Sequence, residues 1–157
     1  MAAGALGILA AGSSPGADRV KGTAKPALVV FVCEHGSAKS LVAQLFFERM
    51  ARERGIDARA VSRGTSPDAS VPATVVEALR GDGFDVAAFK PERLKDADVQ
   101  GADRVVAIGV DLGDVEGRTV TRVEHWDDIP PFSASYPQAR KAIISRVDSL
   151  LQHTFRR

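Results

Sequence analysis

The chain has 157 residues and a mass of 16.6 kDa, a length that favours one compact domain. Its composition, 45% hydrophobic and 26% charged, excludes wholesale disorder. The net charge of +1 argues against a protein that binds nucleic acid by neutralising phosphates, and no apolar stretch is long enough for a membrane span. Because the chain has 1 Cys, it has no internal disulfide and no Cys-rich zinc site. We predict no metal and no cofactor.

Residues 1–26 differ in composition from the rest of the chain. Residues 1–17 carry no charged side chain and are mostly Ala and Gly. Two interpretations remain open: a leader that would export the protein, or a disordered tail on a cytoplasmic protein. In either case we predict that the folded domain comprises residues 27–157.

The domain begins with a strand and a helix. Residues 27–33 form a continuous apolar run, which is typical of a strand buried on both faces. Apolar residues then recur at helical spacing through residues 41–50, and Gly55 ends this helix.

The remaining elements continue the alternation of strands and helices. We predict a strand over 57–63 and a helix capped by Ser70, with Pro72 in its first turn. Strands over 103–110 and 119–124 follow, and a long helix begins at Pro137. This order indicates parallel βαβ units and therefore an α/β fold.

The segment between the first strand and the first helix contains the most informative residues. It consists of Cys33, Glu34, His35, Gly36, Ser37, Ala38, Lys39 and Ser40. A loop in this position directs its backbone N–H groups, and the positive end of the helix dipole, to one point beyond the strand. Gly36 permits the left-handed conformation that is needed for a nest, a concave group of successive backbone N–H donors that binds an anion. Lys39 adds a positive charge. The sequence therefore predicts an anion site here.

Cys33 is the candidate nucleophile of this site. The positive field favours the reactive thiolate, and Ser40 can donate a hydrogen bond to it. A nucleophile inside such a cradle is suited to attack a tetrahedral oxyanion, for example a phosphate ester. The alternative is a small apolar Cys that ends a core strand. A Walker loop does not fit, because no Gly precedes Lys39.

The order of strand, Cys-x5-Lys-Ser and long helix resembles the low-molecular-weight protein tyrosine phosphatase superfamily, which includes arsenate reductases. Residues 62–65 (Ser-Arg-Gly-Thr) resemble the family's Ser-x-Gly-Thr segment, and residues 125–127 (His-Trp-Asp) resemble the entry to its acid loop. The resemblance implies a single-domain three-layer α/β sandwich, with a four-stranded parallel sheet between helices. It also implies that Cys33 is the nucleophile, that residues 34–39 bind phosphate and that Ser40 stabilises the thiolate.

Two positions depart from the family pattern. The family loop ends in Arg-Ser, whereas Lys39 precedes Ser40 here, which keeps the charge but loses the planar fork that grips two phosphoryl oxygens. When the acid loop is aligned on Trp126, the position of the family's general acid holds Pro130, which cannot donate a proton. Asp128 is the candidate replacement if the loop is shifted.

Four further side chains each have two interpretations. Glu34 and His35 either act on the bound anion or point outward from a loop whose backbone does the binding. Trp126 and Tyr136 either form the wall of a substrate cleft or pack in the core.

Three functions from different classes remain open. The first is a hydrolase of phosphate monoesters, including protein phosphotyrosine, that acts through a thiophosphate on Cys33. The second is an arsenate reductase that uses an external small thiol, because a single Cys excludes the type that shuttles a disulfide. The third is an impaired family member that binds phosphate or a phosphorylated partner. The expected partners are therefore phosphate, arsenate or a phosphorylated substrate, and the oligomeric state is left open.

Overall fold

A computed structural model describes residues 24–119 and 122–155. The predicted leader or tail therefore lies almost wholly outside the described residues. Within the described part of the chain, none of the helices combines the length and the apolar character that crossing a membrane would require.

The sheet has four parallel strands in the order β2-β1-β3-β4. The strands are β1 (Ala27–Cys33), β2 (Ala58–Gly64), β3 (Arg104–Ile108) and β4 (Val123–Trp126). Because β1 lies in the interior of the sheet, its side chains are buried on both faces from residue 29 onward, as the apolar run predicted. The Cys33 loop therefore starts at the middle of the carboxyl edge of the sheet, beside the end of β2.

The helices follow the strands in the order that the sequence predicted. They are α1 (Lys39–Glu53), α2 (Ala73–Gly81), α3 (Asp96–Gln100) and α4 (Tyr136–Thr154). A 3-10 helix spans Gly113–Arg118. The short helix α3 and the 3-10 helix were not predicted, because each is too brief to show a hydrophobic period.

The two faces of the sheet carry separate clusters of buried side chains. On one face, alternate residues of β1 such as Phe31 pack against α1, α2 and α4. On the other face, Val30 and Val32 pack with Val99 of α3 and with Leu112. This arrangement confirms the predicted three-layer α/β sandwich with helices on both faces of a four-stranded parallel sheet.

Two predicted boundaries are wrong. Helix α2 begins after Pro72, and no side chain caps it, so Ser70 is an exposed residue before the helix. The sequence predicts the fourth strand over 119–124, but it runs over Val123–Trp126. Its position is determined by pairing with β3 and by burial of Val123 and Trp126, which periodicity over so few residues does not reveal.

Candidate active site

The backbone of the Cys33 loop is held from outside by the segment that follows β2. The N–H groups of Thr65, Ser66 and Asp68 donate to the carbonyl oxygens of residues 33, 34 and 35 at 3.1, 2.8 and 3.1 Å. These bonds turn the loop carbonyls away from the centre of the loop. The N–H of Gly36 points at the Cys33 sulfur, the direction that an anion-binding nest requires.

Two glycines allow the loop to approach β2 this closely. Gly36 has a φ of +64°, and a Cβ there would lie 2.8 Å from the Gly64 nitrogen. A Cβ on Gly64 would in turn lie 2.9 Å from both the Glu34 oxygen and the Gly36 nitrogen. Both distances are shorter than real Cβ contacts, so a side chain at either position would push the loop off the strand. The left-handed residue predicted at Gly36 is confirmed.

The thiol of Cys33 is buried and has two hydrogen-bond partners. The N–H of Gly36 donates to its Sγ at 3.2 Å, and the Oγ of Ser40 lies 3.0 Å from Sγ. The Ser40 hydroxyl also forms a hydrogen bond with the Ser62 hydroxyl, with 2.6 Å between the two oxygens. Ser62 can in turn donate to the Gly36 carbonyl at 3.2 Å. All three side chains are at most 5% exposed, so bulk water does not replace these contacts.

This chain of hydroxyls can be satisfied in two directions. When Cys33 is a thiol, it donates to Ser40, Ser40 donates to Ser62, and Ser62 donates to the Gly36 carbonyl. When Cys33 is a thiolate, Ser62 donates to Ser40, and Ser40 donates to the sulfur. Every hydroxyl hydrogen keeps an acceptor in both states, so the thiol can lose its proton without leaving a buried donor unpaired.

Lys39 brings a positive charge to the same place. Its side chain lines the cavity above Cys33, and a Cβ on Gly109 would lie only 3.3 Å from the Lys39 Nζ. Gly109, which follows β3, therefore leaves room for the ammonium group. Within residues 24–119 and 122–155, Lys39 forms no ion pair with a carboxylate, so its charge is available to an anion.

The cavity above Cys33 has a volume of about 640 Å³. Its floor is formed by Cys33, Lys39 and the loop between them. Its walls are mostly apolar side chains from three segments: Pro72, Val75, Ile108, Pro131 and Phe132. A cavity with a charged floor and apolar walls suits an oxyanion attached to an apolar or aromatic group.

Three ionisable side chains stand on the rim of this cavity: Glu34, His35 and Asp68. The hydroxyl of Ser37 donates to the Asp68 Oδ2 at 2.5 Å. The other oxygen, Oδ1, lies 3.2 Å from the Nδ1 of His35. Asp68 is therefore hydrogen-bonded to the Cys33 loop through Ser37, and its other oxygen lies at ion-pair distance from the imidazole ring of His35.

The acid loop contributes no carboxylate to this cavity. The Asp128 carboxylate lies 2.7 Å from the Arg146 Nη2, and this hydrogen bond holds the pKa of Asp128 below its usual value. Asp127 lines a different cavity of about 430 Å³, together with Glu116 and His125. Of the predicted acid loop, only residues 131–133 reach the Cys33 cavity.

A hydrogen-bonded cluster anchors the start of α4 near this cavity. The Tyr136 hydroxyl donates to the Asp82 Oδ2 at 2.8 Å, and Arg140 binds both oxygens of Asp82 at 2.9 Å. The Tyr136 ring makes an edge contact with Phe132, with 5.2 Å between the ring centroids. Burial, together with the Asp82 carboxylate, raises the pKa of Tyr136 well above its usual value. Trp126, by contrast, is fully buried in the core against Phe31, so it forms no wall of the cleft.

The structure brings most of the predicted site residues together. Five of them line the cavity with Cys33, namely Glu34, His35, Ser37, Ala38 and Lys39, while Gly36 and Ser40 are buried beneath it. Asp128 is not brought there. Sequence reasoning missed Asp68 and Phe132 as cavity residues. The signal for Asp68 was its position just after β2, because the carboxyl ends of neighbouring parallel strands share one edge of the sheet.

Comparison with protein families gives a match over residues 28–127 to the low molecular weight phosphotyrosine protein phosphatase family. The chain belongs to this family. The match includes the whole Cys33 loop and ends at Asp127, where the acid loop departs from the family pattern. A comparison with curated protein sequences finds no match.

Solved structures with the same fold include both enzyme types of the superfamily. A thioredoxin-dependent arsenate reductase from Corynebacterium glutamicum has 20% identity and a TM-score of 0.66, covering 84% of this chain and 63% of its own. An arsenate reductase from Archaeoglobus fulgidus has 26% identity and a TM-score of 0.63, and the match covers 80% of this chain and 99% of the reductase. A low molecular weight protein tyrosine phosphatase from T. tengcongensis has 22% identity and a TM-score of 0.62, with 80% and 98% covered. The predicted class, a cysteine-dependent phosphatase or arsenate reductase, is confirmed at this coarse level.

Proposed function

We propose that this family member hydrolyses phosphate monoesters, including aryl phosphates such as phosphotyrosine, through a thiophosphate on Cys33. One observation carries the proposal: the Cys33 thiol, hydrogen-bonded to Ser40 and Gly36, lies at the floor of a cavity that Lys39 also lines. Nucleophile, positive charge and nest of N–H groups thus converge where a tetrahedral anion would bind.

Cys33 has opposite roles in the two steps of the reaction: its sulfur is the nucleophile in the first step and the leaving group in the second. In the first step, the thiolate attacks phosphorus, the P–O bond to the leaving group breaks, and its electron pair goes to the leaving oxygen. In the second step, water attacks the thiophosphate, the S–P bond breaks, and the electron pair returns to sulfur. Ser40, supported by Ser62, donates to the sulfur whenever it is negative, which favours the thiolate both as starting nucleophile and as leaving group.

Lys39 neutralises charge on the equatorial phosphoryl oxygens but cannot bind two of them in one plane as Arg does. Loss of one preorganised donor costs ~3–4 kcal/mol of transition-state stabilisation, or two to three decades in rate. We therefore expect turnover that is slow for this family but measurable.

A pre-steady-state assay tests the hydrolase proposal. With 4-nitrophenyl phosphate, the native chain should release a burst of nitrophenol that is stoichiometric with active sites if the second step is slower. Cys33→Ser should release none. As a second readout, phosphate or vanadate should protect Cys33 from iodoacetamide. Protection without any turnover would refute the hydrolase proposal and identify an oxyanion-binding protein.

Arsenate reduction is the second candidate, and the single Cys favours a version that uses an external thiol. The Cys33 thiolate would displace hydroxide from arsenate. A low-molecular-weight thiol would then attack the sulfur, release arsenite with the electron pair and leave a mixed disulfide. A second thiol would cleave that disulfide and restore Cys33. Arsenite formed from arsenate in the presence of such a thiol, without hydrolysis of aryl phosphates, would replace the first proposal by this one.

A further inference from the structure

The proposed hydrolysis needs a proton for the leaving oxygen, and the acid loop does not bring a donor to the cavity. Asp128 is bound to Arg146, Asp127 lines another cavity, and the residue at the family's acid position is Pro130. Among the described residues that line the Cys33 cavity, the ionisable ones besides Cys33 and Lys39 are Glu34, His35 and Asp68.

Of these three, His35 has the contacts of a proton donor. Its Nδ1 lies 3.2 Å from the Asp68 Oδ1, an ion-pair contact that places this side of the ring against the carboxylate. Its Nε2 lies 3.6 Å from the Glu34 Oε2, which is beyond hydrogen-bond distance. Nε2 therefore has no hydrogen-bond partner among the described residues, and the Glu34 carboxylate lies only at ion-pair distance from it.

Asp68 is well placed to hold this ring on the rim. Its Oδ2 accepts from the Ser37 hydroxyl, and its N–H donates to the His35 carbonyl at 3.1 Å. The carboxylate is thus hydrogen-bonded to the same loop that carries the nucleophile. Histidine held by a carboxylate in this way is a frequent general acid and base.

We propose that His35, positioned by Asp68, protonates the leaving oxygen in place of the missing acid-loop aspartate. This inference rests on the proposed phosphatase function. In the first step, the proton passes from the His35 Nε2 to the oxygen as the P–O bond breaks, which leaves a neutral imidazole. In the second step, the neutral Nε2 takes a proton from the attacking water, and the thiolate leaves. His35 ends each cycle in the protonated form in which it began.

The dependence of rate on the leaving group tests this role. Phenyl phosphate has a poor leaving group that needs a proton, whereas 2,4-dinitrophenyl phosphate has a good one that leaves as an anion. We expect His35→Gln to lower kcat for phenyl phosphate by ~10²–10⁴-fold and for the dinitrophenyl ester by less than about 5-fold. Asp68→Asn should also lower the ratio of kcat for phenyl phosphate to kcat for the dinitrophenyl ester, by a smaller factor than His35→Gln.

Two matched variants and one binding measurement complete the design. Asp128→Asn on the acid loop should leave the ratio between the kcat values for the two substrates unchanged, and Glu34→Gln tests whether the second carboxylate near His35 takes part. Protection of Cys33 from iodoacetamide by phosphate identifies variants that are folded with an intact anion site. If His35→Gln lacks this protection, His35→Asn takes its place in the comparison.

Each outcome has one interpretation. Equal slowing of both substrates in a protected His35 variant would overturn the role of His35. A changed ratio in Asp128→Asn would overturn it in favour of the acid loop, and a changed ratio in Glu34→Gln would assign the proton to Glu34. If the native chain hydrolyses neither ester, the phosphatase proposal itself fails.

Discussion

The two sides of the Cys33 cavity differ in how their functional groups are supplied. On one side, residues 33–40 offer mainly backbone N–H groups, held by carbonyl hydrogen bonds and by the contact of Gly36 with Gly64. On the other side, the loop at 127–133 would have to offer one particular carboxylate, and it brings Pro131 and Phe132 instead. A backbone nest tolerates many side-chain changes, whereas a general acid is lost with one residue.

In the proposed mechanism, anion binding and proton supply are therefore separable. The nest depends on two glycines and on the path of the chain after β2. The proton for the leaving oxygen can come from any ionisable group on the rim of the cavity. Here those groups, Glu34, His35 and Asp68, lie on or beside the Cys33 loop and not on the acid loop. Variants on each side should therefore fail in different ways.

The largest effect is expected from breaking the nest with Gly36→Ala. The new Cβ would lie 2.8 Å from the Gly64 nitrogen, and the φ of +64° adds strain. We expect the free energy of unfolding to fall by roughly 2–4 kcal/mol, and oxyanion protection of Cys33 to be lost. Urea denaturation measures the first effect and alkylation the second.

Gly55→Ala is the matched control for this variant. Gly55 has a similar φ of +65°, but a Cβ there meets nothing within 4 Å. It should therefore cost only the strain of about 1–2 kcal/mol and leave oxyanion protection intact. Equal loss of protection in both variants would show that the Gly36–Gly64 approach is not what forms the nest.

Substitution of Lys39 can either remove the positive charge beside Cys33 or replace the ammonium with a planar guanidinium. Lys39→Ala should abolish protection of Cys33 by phosphate. Lys39→Arg should raise kcat for aryl phosphates by up to ~10²-fold with little change in KM, because the fork binds oxygens whose charge develops in the transition state. Steady-state kinetics and alkylation measure these effects, and an unchanged kcat would indicate that proton supply limits the rate.

The acid side can be restored with Pro130→Asp. If the loop can place this carboxyl at the cavity, kcat for phenyl phosphate should rise about 10-fold, and the dinitrophenyl ester should show no gain. Combined with Lys39→Arg, the two gains should multiply, since they act on different oxygens of the transition state. A gain that is equal for both esters would argue against proton donation by the new residue.

A smaller effect is expected on stability from the anchor of α4. Burial acts to raise the pKa of Asp82, but hydrogen bonds from Arg140 and Tyr136 lower it on balance. Asp82→Asn should reduce the free energy of unfolding by about 1–3 kcal/mol at pH 7. A lowered folded-state pKa gives stability that is present above the ordinary aspartate pKa and is lost as the pH falls through the lowered value. The difference in the free energy of unfolding between the native chain and Asp82→Asn should therefore become smaller below about pH 4. Denaturation at several pH values measures it.

The smallest effect is expected from deleting residues 1–26. The family match begins at residue 28, and we predict that the folded domain begins at residue 27. The shortened chain should keep the Tm and the oxyanion protection of the full chain. A clear fall in Tm, measured by scanning calorimetry, would move the domain boundary toward the amino terminus.

The features predicted best from the sequence are those that the backbone determines. The apolar run before Cys33 and the positive φ of Gly36 follow from local residue types, and so the first strand, the loop and the fold class could be predicted. The position of Asp68 just after β2 places it at the same edge of the sheet, but its contact with His35 depends on how the chain folds back over the loop and could not be predicted. The position of Asp128 depends equally on a distant partner, Arg146 on α4, which no spacing in the loop reveals.

The single cysteine at the floor of the cavity also limits how an oxidised sulfur could be reduced. Oxidation of the Cys33 thiolate gives a sulfenic acid, which many proteins protect by condensing it with a second thiol of their own. This chain has 1 Cys, so no such disulfide can form within it. Reduction through a mixed disulfide therefore needs a thiol from outside, which must reach the sulfur through the opening of the cavity. An oxyanion bound there would shield the sulfur from oxidant and reductant alike.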